Sequence, residues 1–303
     1  MTSNYDEVSA IAAEHLGKKA GDYSDFVNIV DVRPDLLVPI PRELNRTDYG
    51  ITNEDFAGFD TWHGFEVSAL TEQGLPVSGM AKVVYPSDSP NIVESKSMKL
   101  YWNSFNMAKV AATRAEVQGA IEAIASRDLS EVIGAEVQVS FFTVRSTQPH
   151  GMTGYAELDK YVSEDTVFDS ESGADADLLQ ESHVKRMKVF TPNLRSNCRV
   201  THQPDFGDLY VYMKGEKTPT IDSLMQYIVS FRKENHFHEE CVEMIYKALL
   251  DKFDPQELMV TALYTRRGGW NICPARATHE ELLPEALGSE VVSHTNGSCL
   301  FRQ

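Results

Sequence analysis

One cysteine of the chain stands among residues that favour nucleophilic chemistry. Cys198 lies in the segment RSNCRVTHQPDFGD, with Arg195 and Arg199 on either side. Asp205 follows seven residues later, just past Pro204. A cysteine attacks as its thiolate, which nearby positive charge favours, and a neighbouring carboxyl can carry the proton. A turn near the proline would bring that carboxyl back over the thiol, although a small buried structural cysteine fits the same spacing.

The segment HFHEEC offers a second group of reactive side chains, His236, His238, Glu239 and Cys241 among them. Three interpretations stay open. The histidines and the cysteine are zinc ligands by type. Glu239 could accept two hydrogen bonds from an amidine-like edge, such as the N–H and amino group of a guanine. The segment also fits a helix N-terminus, at which His238 or Glu239 caps the helix and complements its dipole.

Two further segments are suited to phosphate groups. The run IVESKSMK holds Glu94 among hydroxyls and two lysines, Lys96 and Lys99, just before a predicted helix. In YTRRGG, Arg267 precedes Gly268. Paired glycines let a backbone approach a ligand closely, and arginine and lysine bind phosphate oxygens. Neither segment has the glycine pattern of a P-loop, and no GxGxxG follows a strand, so a solvated strand end and an ordinary turn remain the competing interpretations.

The two halves of the chain that carry these segments show the same predicted order of elements, β-β-α-α-β. In the first half, alternation predicts strands over 65–69, 80–85 and 137–141. Apolar spacing predicts a helix over 106–126, and a second short helix starts at Asp128. In the second half, strands over 196–201, 209–214 and 258–264 accompany two helices. Residue identity between the halves is low, so this is a repeat of pattern.

Two segments lie outside this repeat. Val32–Arg46 contains three prolines, which predict an extended surface segment. Residues 157–182 are rich in Asp, Glu and Ser, which predicts an exposed linker, although a solvated helix face or loop fits as well.

The composition is that of an acidic globular protein. The chain has 303 residues, 42% of them hydrophobic, with a net charge of −17, and its length suggests two domains. That charge disfavours a nucleic-acid partner. The sequence has no run of about 20 apolar residues and no basic-then-apolar leader, so we expect a cytoplasmic protein. There its four cysteines, none in a CxxC pair, would be free: Cys198, Cys241, Cys273 and Cys299.

Four segments together, in order along the chain, resemble one enzyme family. ESKSMKLY, SNCRVTHQPD, FHEEC and YTRRGG are similar to segments of the QueF family, the nitrile reductases that make 7-aminomethyl-7-deazaguanine from 7-cyano-7-deazaguanine in queuosine biosynthesis. The resemblance is to the long, two-module form. It implies an α+β fold of two tandem tunnelling-fold (T-fold) modules. Each module would be an antiparallel sheet with two helices on one face, completed by association into at least a homodimer.

The resemblance implies three segments of chain. An N-terminal module over 1–156 would carry ESKSMK, an acidic linker or loop would cover 157–185, and a C-terminal module over 186–303 would carry the cysteine. Because the cysteine and FHEEC lie only in the second half and ESKSMK only in the first, each half would supply part of one site.

The resemblance also implies catalytic roles. Cys198 would add to the nitrile carbon and give a covalent thioimide. Asp205 would donate a proton to the nitrile nitrogen, and His238 would pass a proton in the later steps. Arg199 stands where short-form members often have proline, and a cation there would favour the thiolate. The imine formed between two hydride transfers would need shielding from water.

The binding roles follow in the same way, and no metal is implied. The deazaguanine would be held by Glu239 with His238 and by Glu94 with the backbone of Ile92 and Val93. NADPH would contact Ser95, Lys96, Arg267 and Gly268.

Three other functions are compatible with the residues alone. A T-fold cyclohydrolase acting on a pterin or purine would need a metal, so metal analysis separates it. A non-catalytic deazapurine-binding protein would bind without turnover. An acidic interaction protein would have a Cys198 that reacts no faster than an ordinary thiol.

Overall fold

The computed structural model describes residues 30–143, 152–169 and 173–288, which form an α+β structure dominated by antiparallel strands. The helices are α1 (Arg42–Tyr49), α2 (Ser95–Ser104), α3 (Arg114–Ile133), α4 (Ile221–Ser230), α5 (His238–Phe253) and α6 (Glu285–Gly288). The strands are β1 (Pro39–Pro41), β2 (Ala57–Thr71), β3 (Pro76–Pro86), β4 (Asn91–Val93), β5 (Lys109–Ala111), β6 (Gln138–Phe142), β7 (Ala156–Glu157), β8 (Glu181–Ser182), β9 (Arg186–Cys198), β10 (Pro204–Lys214), β11 (Thr218–Pro219), β12 (Asn235–His236), β13 (Glu257–Tyr264) and β14 (Trp270–Ala277).

One ten-stranded sheet runs through both halves of the chain. Its main path is β12-β9-β10-β13-β14-β2-β3-β6, with β5 added beside β2 and β7 beside β9. The halves join where β14 pairs antiparallel with β2, from Trp270 opposite Gly64 to Ala277 opposite Ala57. Residues from the first half are therefore hydrogen-bonded directly to the second.

The predicted β-β-α-α-β order is confirmed in each half, as β2-β3-α2-α3-β6 and β9-β10-α4-α5-β13. The correspondence goes further than the sequence pattern indicates. The helices α2 and α4 each run into one turn of 3₁₀ helix, Phe105–Met107 and Phe231–Lys233. A short strand then pairs in parallel with the first strand of its half, β5 with β2 and β12 with β9.

The helices of each half pack on one face of the sheet. Strand β10 illustrates this, since Leu209, Val211 and Met213 lie in the same apolar cluster as α4 and α5. Tyr210 points to the opposite face, where the segment carrying Leu287 covers it. Both faces of this strand are therefore buried, and the helices cover only one of them.

The helix predicted over 106–126 and the separate one at Asp128 are corrected to a single helix, α3. Thr113 starts it, because Glu116 accepts both the backbone N–H and the hydroxyl of that threonine at 2.9 Å. Gly134, at φ +77°, ends it. Asp128 is thus inside the helix and accepts a hydrogen bond from the Tyr101 hydroxyl at 3.0 Å.

Strand β9 ends at Cys198, three residues before the predicted end at Thr201. The chain turns there, with His202 at φ +53°. The strands predicted over 80–85, 209–214 and 258–264 are each confirmed and lie within β3, β10 and β13.

The proline-rich segment Val32–Arg46 was expected on the surface, and this is wrong. Its prolines do favour extended backbone, since β1 pairs with β4. However, Leu36, Val38 and Ile40 are buried, and Val38 and Ile40 pack in the apolar cluster that contains α2 and α3.

The acidic segment 157–182 is described except for residues 170–172. Strand β7 pairs with β9, and Leu158 and Leu179 are buried in the core of the second half. Most other side chains of the segment are exposed. Across the described ranges no helix is long and apolar enough to cross a membrane.

Candidate active site

The Cys198 thiol lies at the end of β9, where a tight connection leads into β10. The Cys198 N–H donates to the Gln203 carbonyl at 2.8 Å, and the His202 N–H donates to the Cys198 carbonyl at 2.9 Å. This connection places Asp205 at the start of β10, opposite Ser196. The turn predicted near Pro204 thus returns the carboxyl to the cysteine end of β9.

Cys198 and Asp205 line one cleft of about 440 Å³ together with residues from both halves. His238 enters it from the start of α5, and Arg267 from the β13–β14 hairpin. Six of the predicted site residues therefore meet here. The complete lining is Ser95, Lys96, Lys99, Cys198, Asp205, His236, Phe237, His238, Thr265, Arg267, Trp270 and Ile272.

Asp205 is held between two basic groups. Arg267 forms an ion pair with its Oδ1, and the His238 Nε2 lies 3.7 Å from the same oxygen. Burial alone would raise the pKa of Asp205, but contact with His238 and the charge of Arg267 outweigh it and lower that pKa below its usual value. The His238 ring packs edge-on against Tyr264, with centroids 4.1 Å apart, which fixes the imidazole beside the carboxylate.

Arg199, expected to favour the thiolate, has a different main partner. Its Nη1 donates to Glu240 at 2.6 Å and to Asn45 at 3.3 Å, and the side chain is buried. A buried guanidinium needs a buried anion, and Glu240 supplies it. The arginine thereby ties the turn after Cys198 to the first turn of α5.

The ESKSMK segment forms the first turn of α2, whereas the sequence suggested that it precedes the helix. The Glu94 Oε2 accepts the backbone N–H groups of Lys96 at 2.9 Å and Ser97 at 2.7 Å. Its Oε1 has a weaker contact with the Ser95 hydroxyl at 3.4 Å. Glu94 therefore caps the helix that turns Lys96 and Lys99, one turn apart, toward the cleft.

Three cations crowd the mouth of the cleft. Burial, together with the charges of Arg267 and Lys96, lowers the pKa of Lys99 to about 8. Gly268, at φ +56°, lets the hairpin approach the lysine, since a Cβ there would lie 3.2 Å from the Lys99 Cδ. An anionic group of a ligand would relieve this repulsion, so the residues present fit the phosphates of a nucleotide cofactor.

A second cavity of about 230 Å³ lies on the other side of the α5 start. Glu239 is buried there, and its Oε1 has no hydrogen-bond partner among the described residues. Burial, together with the charge of the nearby Asp60 carboxylate, raises the pKa of Glu239 to about 8. The lining is Ile40, Pro41, Arg42, Asn45, Ile92, Glu239, Glu240 and Glu243.

Three predicted binding residues line neither cavity, and one of them, Gly268, instead packs beside Lys99. Val93 is buried in β4, where its backbone pairs with Pro39. Glu94 is buried as the cap of α2.

The potential zinc ligands of HFHEEC point to separate partners. His236 contacts Glu234 at 2.8 Å and Glu240 at 3.3 Å, whereas His238 contacts Asp205. Burial raises the pKa of Cys241 to about 12. No group of three or more His, Cys, Asp or Glu side chains spaced to hold a metal ion occurs in the part of the chain that the structure describes.

Sequence reasoning did not single out the residues around Glu239. Arg42, on α1, bonds Asp60 of β2, and Arg276 of β14 bonds both Asp60 and Glu243. These positions are far apart in sequence, so no local pattern joins them. The one available signal is that Glu239 and Glu243 lie one turn apart on α5, which places two carboxylates on one helix face.

Comparison with known proteins matches both halves of the chain. Residues 30–141 match the family model described as nitrile reductase, 7-cyano-7-deazaguanine-reductase N-term, and residues 204–282 match that of a QueF-like protein.

Whole-length relatives agree. A protein of Acinetobacter baumannii (strain SDF) is 37% identical over 84% of this chain and 92% of its own length. One from Psychrobacter cryohalolentis is 37% identical over 89% and 95%, and one from Colwellia psychrerythraea is 34% identical over 94% and 98%. Each is named NADPH-dependent 7-cyano-7-deazaguanine reductase. With these matches across both halves, the chain belongs to the 7-cyano-7-deazaguanine reductase family.

Proposed function

We propose that this chain catalyses the NADPH-dependent, four-electron reduction of the nitrile of 7-cyano-7-deazaguanine to the aminomethyl group of 7-aminomethyl-7-deazaguanine. One observation carries the proposal most strongly. A buried cysteine shares a cleft with a carboxylate, an imidazole and three cations, and an unpaired carboxylate lies in the adjoining cavity. This gives a nucleophile, a proton carrier, a cofactor cradle and a group that can bind the base.

The base would be bound through its amidine-like edge. The unpaired Glu239 Oε1 accepts the ring N–H and amino donors of the deazaguanine, and both donors favour its ionised form. Ile92 lines the same cavity, and Val93 follows it in β4. His238 and the Glu94 Oε1, which makes only the longer contact at 3.4 Å, complete the proposed contacts.

The ionised state of Asp205 sharpens its proposed role. Since contact with His238 and Arg267 keeps its pKa low, Asp205 first accepts the proton of the Cys198 thiol, with His238 beside it. The thiolate then adds to the nitrile carbon, and the same proton passes to the nitrile nitrogen. A thiol and a nitrile thereby become a thioimide with no proton gained or lost.

NADPH, when bound, would supply one hydride to the thioimide carbon and a second to the imine carbon. Each hydride is matched by one proton from solvent, which His238 would pass to the nitrogen. Ser95, Lys96, Arg267 and Gly268 would hold it, and Lys99 joins them because it lies between Lys96 and the hairpin. Their positive charges fit its phosphates.

The chain's own groups manage the steps between the two reductions. Cys198 leaves the thiohemiaminal as a thiol, taking back a proton through Asp205 and His238, and an imine remains. An imine hydrolyses in water, so the apolar wall formed by Phe237, Trp270 and Ile272 protects it.

Two tandem T-fold modules over 1–156 and 186–303, joined by 157–185, and a homodimer in the cytoplasm belong to the same proposal. The shared β-β-α-α-β order supports the modules. The sheet ends at β6 and β12 within the described ranges, and an edge strand of five residues such as β6 can pair with a second copy. Light scattering on the purified chain tests the dimer.

The test of the activity is a stoichiometry. Purified protein mixed with 7-cyano-7-deazaguanine and NADPH should oxidise two NADPH per nitrile, and intact-mass analysis without NADPH should show one adduct per chain. Cys198→Ala should abolish both. Cys273→Ala is the matched control, because Cys273 is buried on the opposite face of the sheet. Full turnover in Cys198→Ala would refute the covalent mechanism, and binding without oxidation would leave a deazapurine-binding protein.

A further inference from the structure

A buried ion network lies behind the cavity that holds Glu239. It joins five side chains from four elements, and every member is at least nine-tenths buried: Arg42, Arg46, Asp60, Glu243 and Arg276. Asp60 accepts from Arg42 and, at 2.8 Å, from Arg276. Glu243 accepts from Arg46 at 2.6 Å and from Arg276 at 2.9 Å, and lies 3.6 Å from the Arg42 Nη1.

The network carries an excess of positive charge. Three guanidinium groups face two carboxylates, so one positive charge is left over in the interior, where charge imbalance is expensive. Glu239 lies one turn before Glu243 on α5 and would balance that charge when ionised. The ionised Glu239 carboxylate would therefore serve both the arginine network and the bound deazaguanine.

Arg42 is the arginine of this network that lines the Glu239 cavity. Its Nε donates to the Ser89 hydroxyl at 3.1 Å, and its backbone N–H donates to the Pro90 carbonyl at 3.0 Å, so the guanidinium is fixed in place. Arg46 bonds both oxygens of Glu243, at 3.0 and 2.6 Å, and is absent from the cavity lining.

We infer that Arg42 is a positioning residue for the substrate: its guanidinium keeps the Glu239 carboxylate in the ionised form that accepts the donors of the base. The inference rests on the proposed function. The charged and titratable groups that face Glu239 come from every element packed against it: Arg42 of α1, Asp60 of β2, Tyr85 of β3, Arg276 of β14, and Glu240 and Glu243 of α5. Burial and Asp60 oppose ionisation, and Arg42 and Arg276 favour it.

The experiment is the pH dependence of KM for 7-cyano-7-deazaguanine between pH 6 and 9.5 in the unsubstituted chain and three variants. In the unsubstituted chain KM should fall as pH rises through the pKa of Glu239, since only the ionised carboxylate accepts both donors. Arg42→Gln should move that midpoint up by about one pH unit, which raises KM about tenfold at pH 7, and the two curves should converge at the alkaline end. Arg42→Lys keeps the charge and should restore most of the midpoint.

The matched control is Arg46→Gln, which removes a charge from the same network outside the cavity. It should lower thermal stability and move the midpoint of KM by much less than Arg42→Gln does, because Arg46 does not line the cavity. A KM raised equally at every pH in Arg42→Gln, or an unchanged midpoint, would overturn the inference. If Arg42→Gln does not fold, Arg42→Lys decides alone, because a midpoint moved by a full unit with the charge retained contradicts the inference. Absence of turnover in the unsubstituted chain overturns the proposed function as well, whereas normal turnover with an unmoved midpoint overturns only this inference.

Discussion

The long helices α3 and α5 hold the same place in the two halves but begin in different ways. At the start of α3, Thr113 is exposed, and Glu116 closes the turn by accepting its N–H at 2.9 Å. At the start of α5, Glu240 accepts the Phe237 N–H at 2.9 Å in the same manner, yet the turn is buried. Between those two residues lie His238 and Glu239, which line the two cavities.

The difference shows how one local device serves two purposes. A helix N-terminus has unpaired N–H groups and a positive field, which a side-chain carboxylate can satisfy. In α3 this device is used entirely for the helix itself. In α5 the cap is complete with Glu240, so Glu239 is left over as a buried acceptor for a ligand.

The shorter helices show the reverse division. In the second half, α4 begins at Thr220, whose hydroxyl accepts the Ser223 N–H at 3.2 Å. Thr220 lines neither cavity. In the first half, α2 begins at Glu94 and carries Lys96 and Lys99 into the cleft. Each half thus contributes one helix start to the site and keeps the other for stability, and the β14–β2 pairing brings the two contributing starts together.

The largest effect is expected from the comparison of α5 with α3. Glu239→Gln removes the charged acceptor of the base, and loss of charge-assisted hydrogen bonds worth about 2–3 kcal/mol should raise KM for the nitrile about 100-fold. Steady-state kinetics with saturating NADPH measures this.

Glu116→Gln is the matched control, since it makes the same chemical change at the capping carboxylate of the equivalent helix start in the other half. Its KM should be unchanged while its melting temperature falls. Equal kinetic effects in the two variants would mean that the two helix starts do not differ in function.

A smaller effect is expected from the comparison of α2 with α4. Glu94→Ala removes the cap of α2 and should raise KM for NADPH about tenfold, because the first turn that carries Lys96 and Lys99 loosens. Glu94→Ser, which keeps a capping hydroxyl, should recover most of the cofactor KM but not the KM for the nitrile if Glu94 also contacts the base. Thr220→Ala should cost about 1 kcal/mol of stability and leave both KM values alone; a change in either would show that the α4 start also shapes the site.

Much of the fold and part of the candidate site could be predicted from the sequence, because they depend on local patterns. Alternation within 209–214 and 258–264 is a local property, so the strands were found, and Arg267 with Gly268 after β13 reads as a turn wherever it occurs. The β-β-α-α-β repeat emerged from the same local patterns. Placing Cys198 beside Asp205 needed only one turn between adjacent strands.

What failed depended on contacts between distant parts of the chain. Val32–Arg46 looks like a surface segment by its prolines, but its burial is set by helices that lie elsewhere in the sequence. The helix over 106–126 was misplaced because Val110 continues the apolar pattern although it belongs to β5, and the Thr113–Glu116 cap was overlooked. No local pattern indicates the ion pair of Arg199 with Glu240, because the two residues are 41 positions apart.

The last effect is on stability and tests the cost of keeping the Glu239 Oε1 without a hydrogen-bond partner in the described part of the chain. The pKa of Glu239 is raised from 4.5 in the unfolded chain to about 8 in the folded chain. Between those values the unfolded chain has released a proton that the folded chain still holds, so stability falls as pH rises through this window. Glu239→Gln does not titrate. Its melting temperature should therefore gain steadily on that of the unsubstituted chain from pH 5 to pH 8.5.

Thr113→Ala should change the melting temperature in the opposite direction, at the equivalent helix start of the first half. It removes a cap from a solvent-exposed turn, so it should lower the melting temperature by a similar amount at every pH in this range. Thermal denaturation of both variants at pH 5.5, 7 and 8.5 checks the pair. A melting temperature of Glu239→Gln that runs parallel to that of the unsubstituted chain would mean that the carboxylate is already satisfied in the free protein. The α5 start would then be a structural cap like the start of α3. A difference in melting temperature that widens with pH would instead identify Glu239 as a ligand-binding carboxylate that lowers the stability of the free protein.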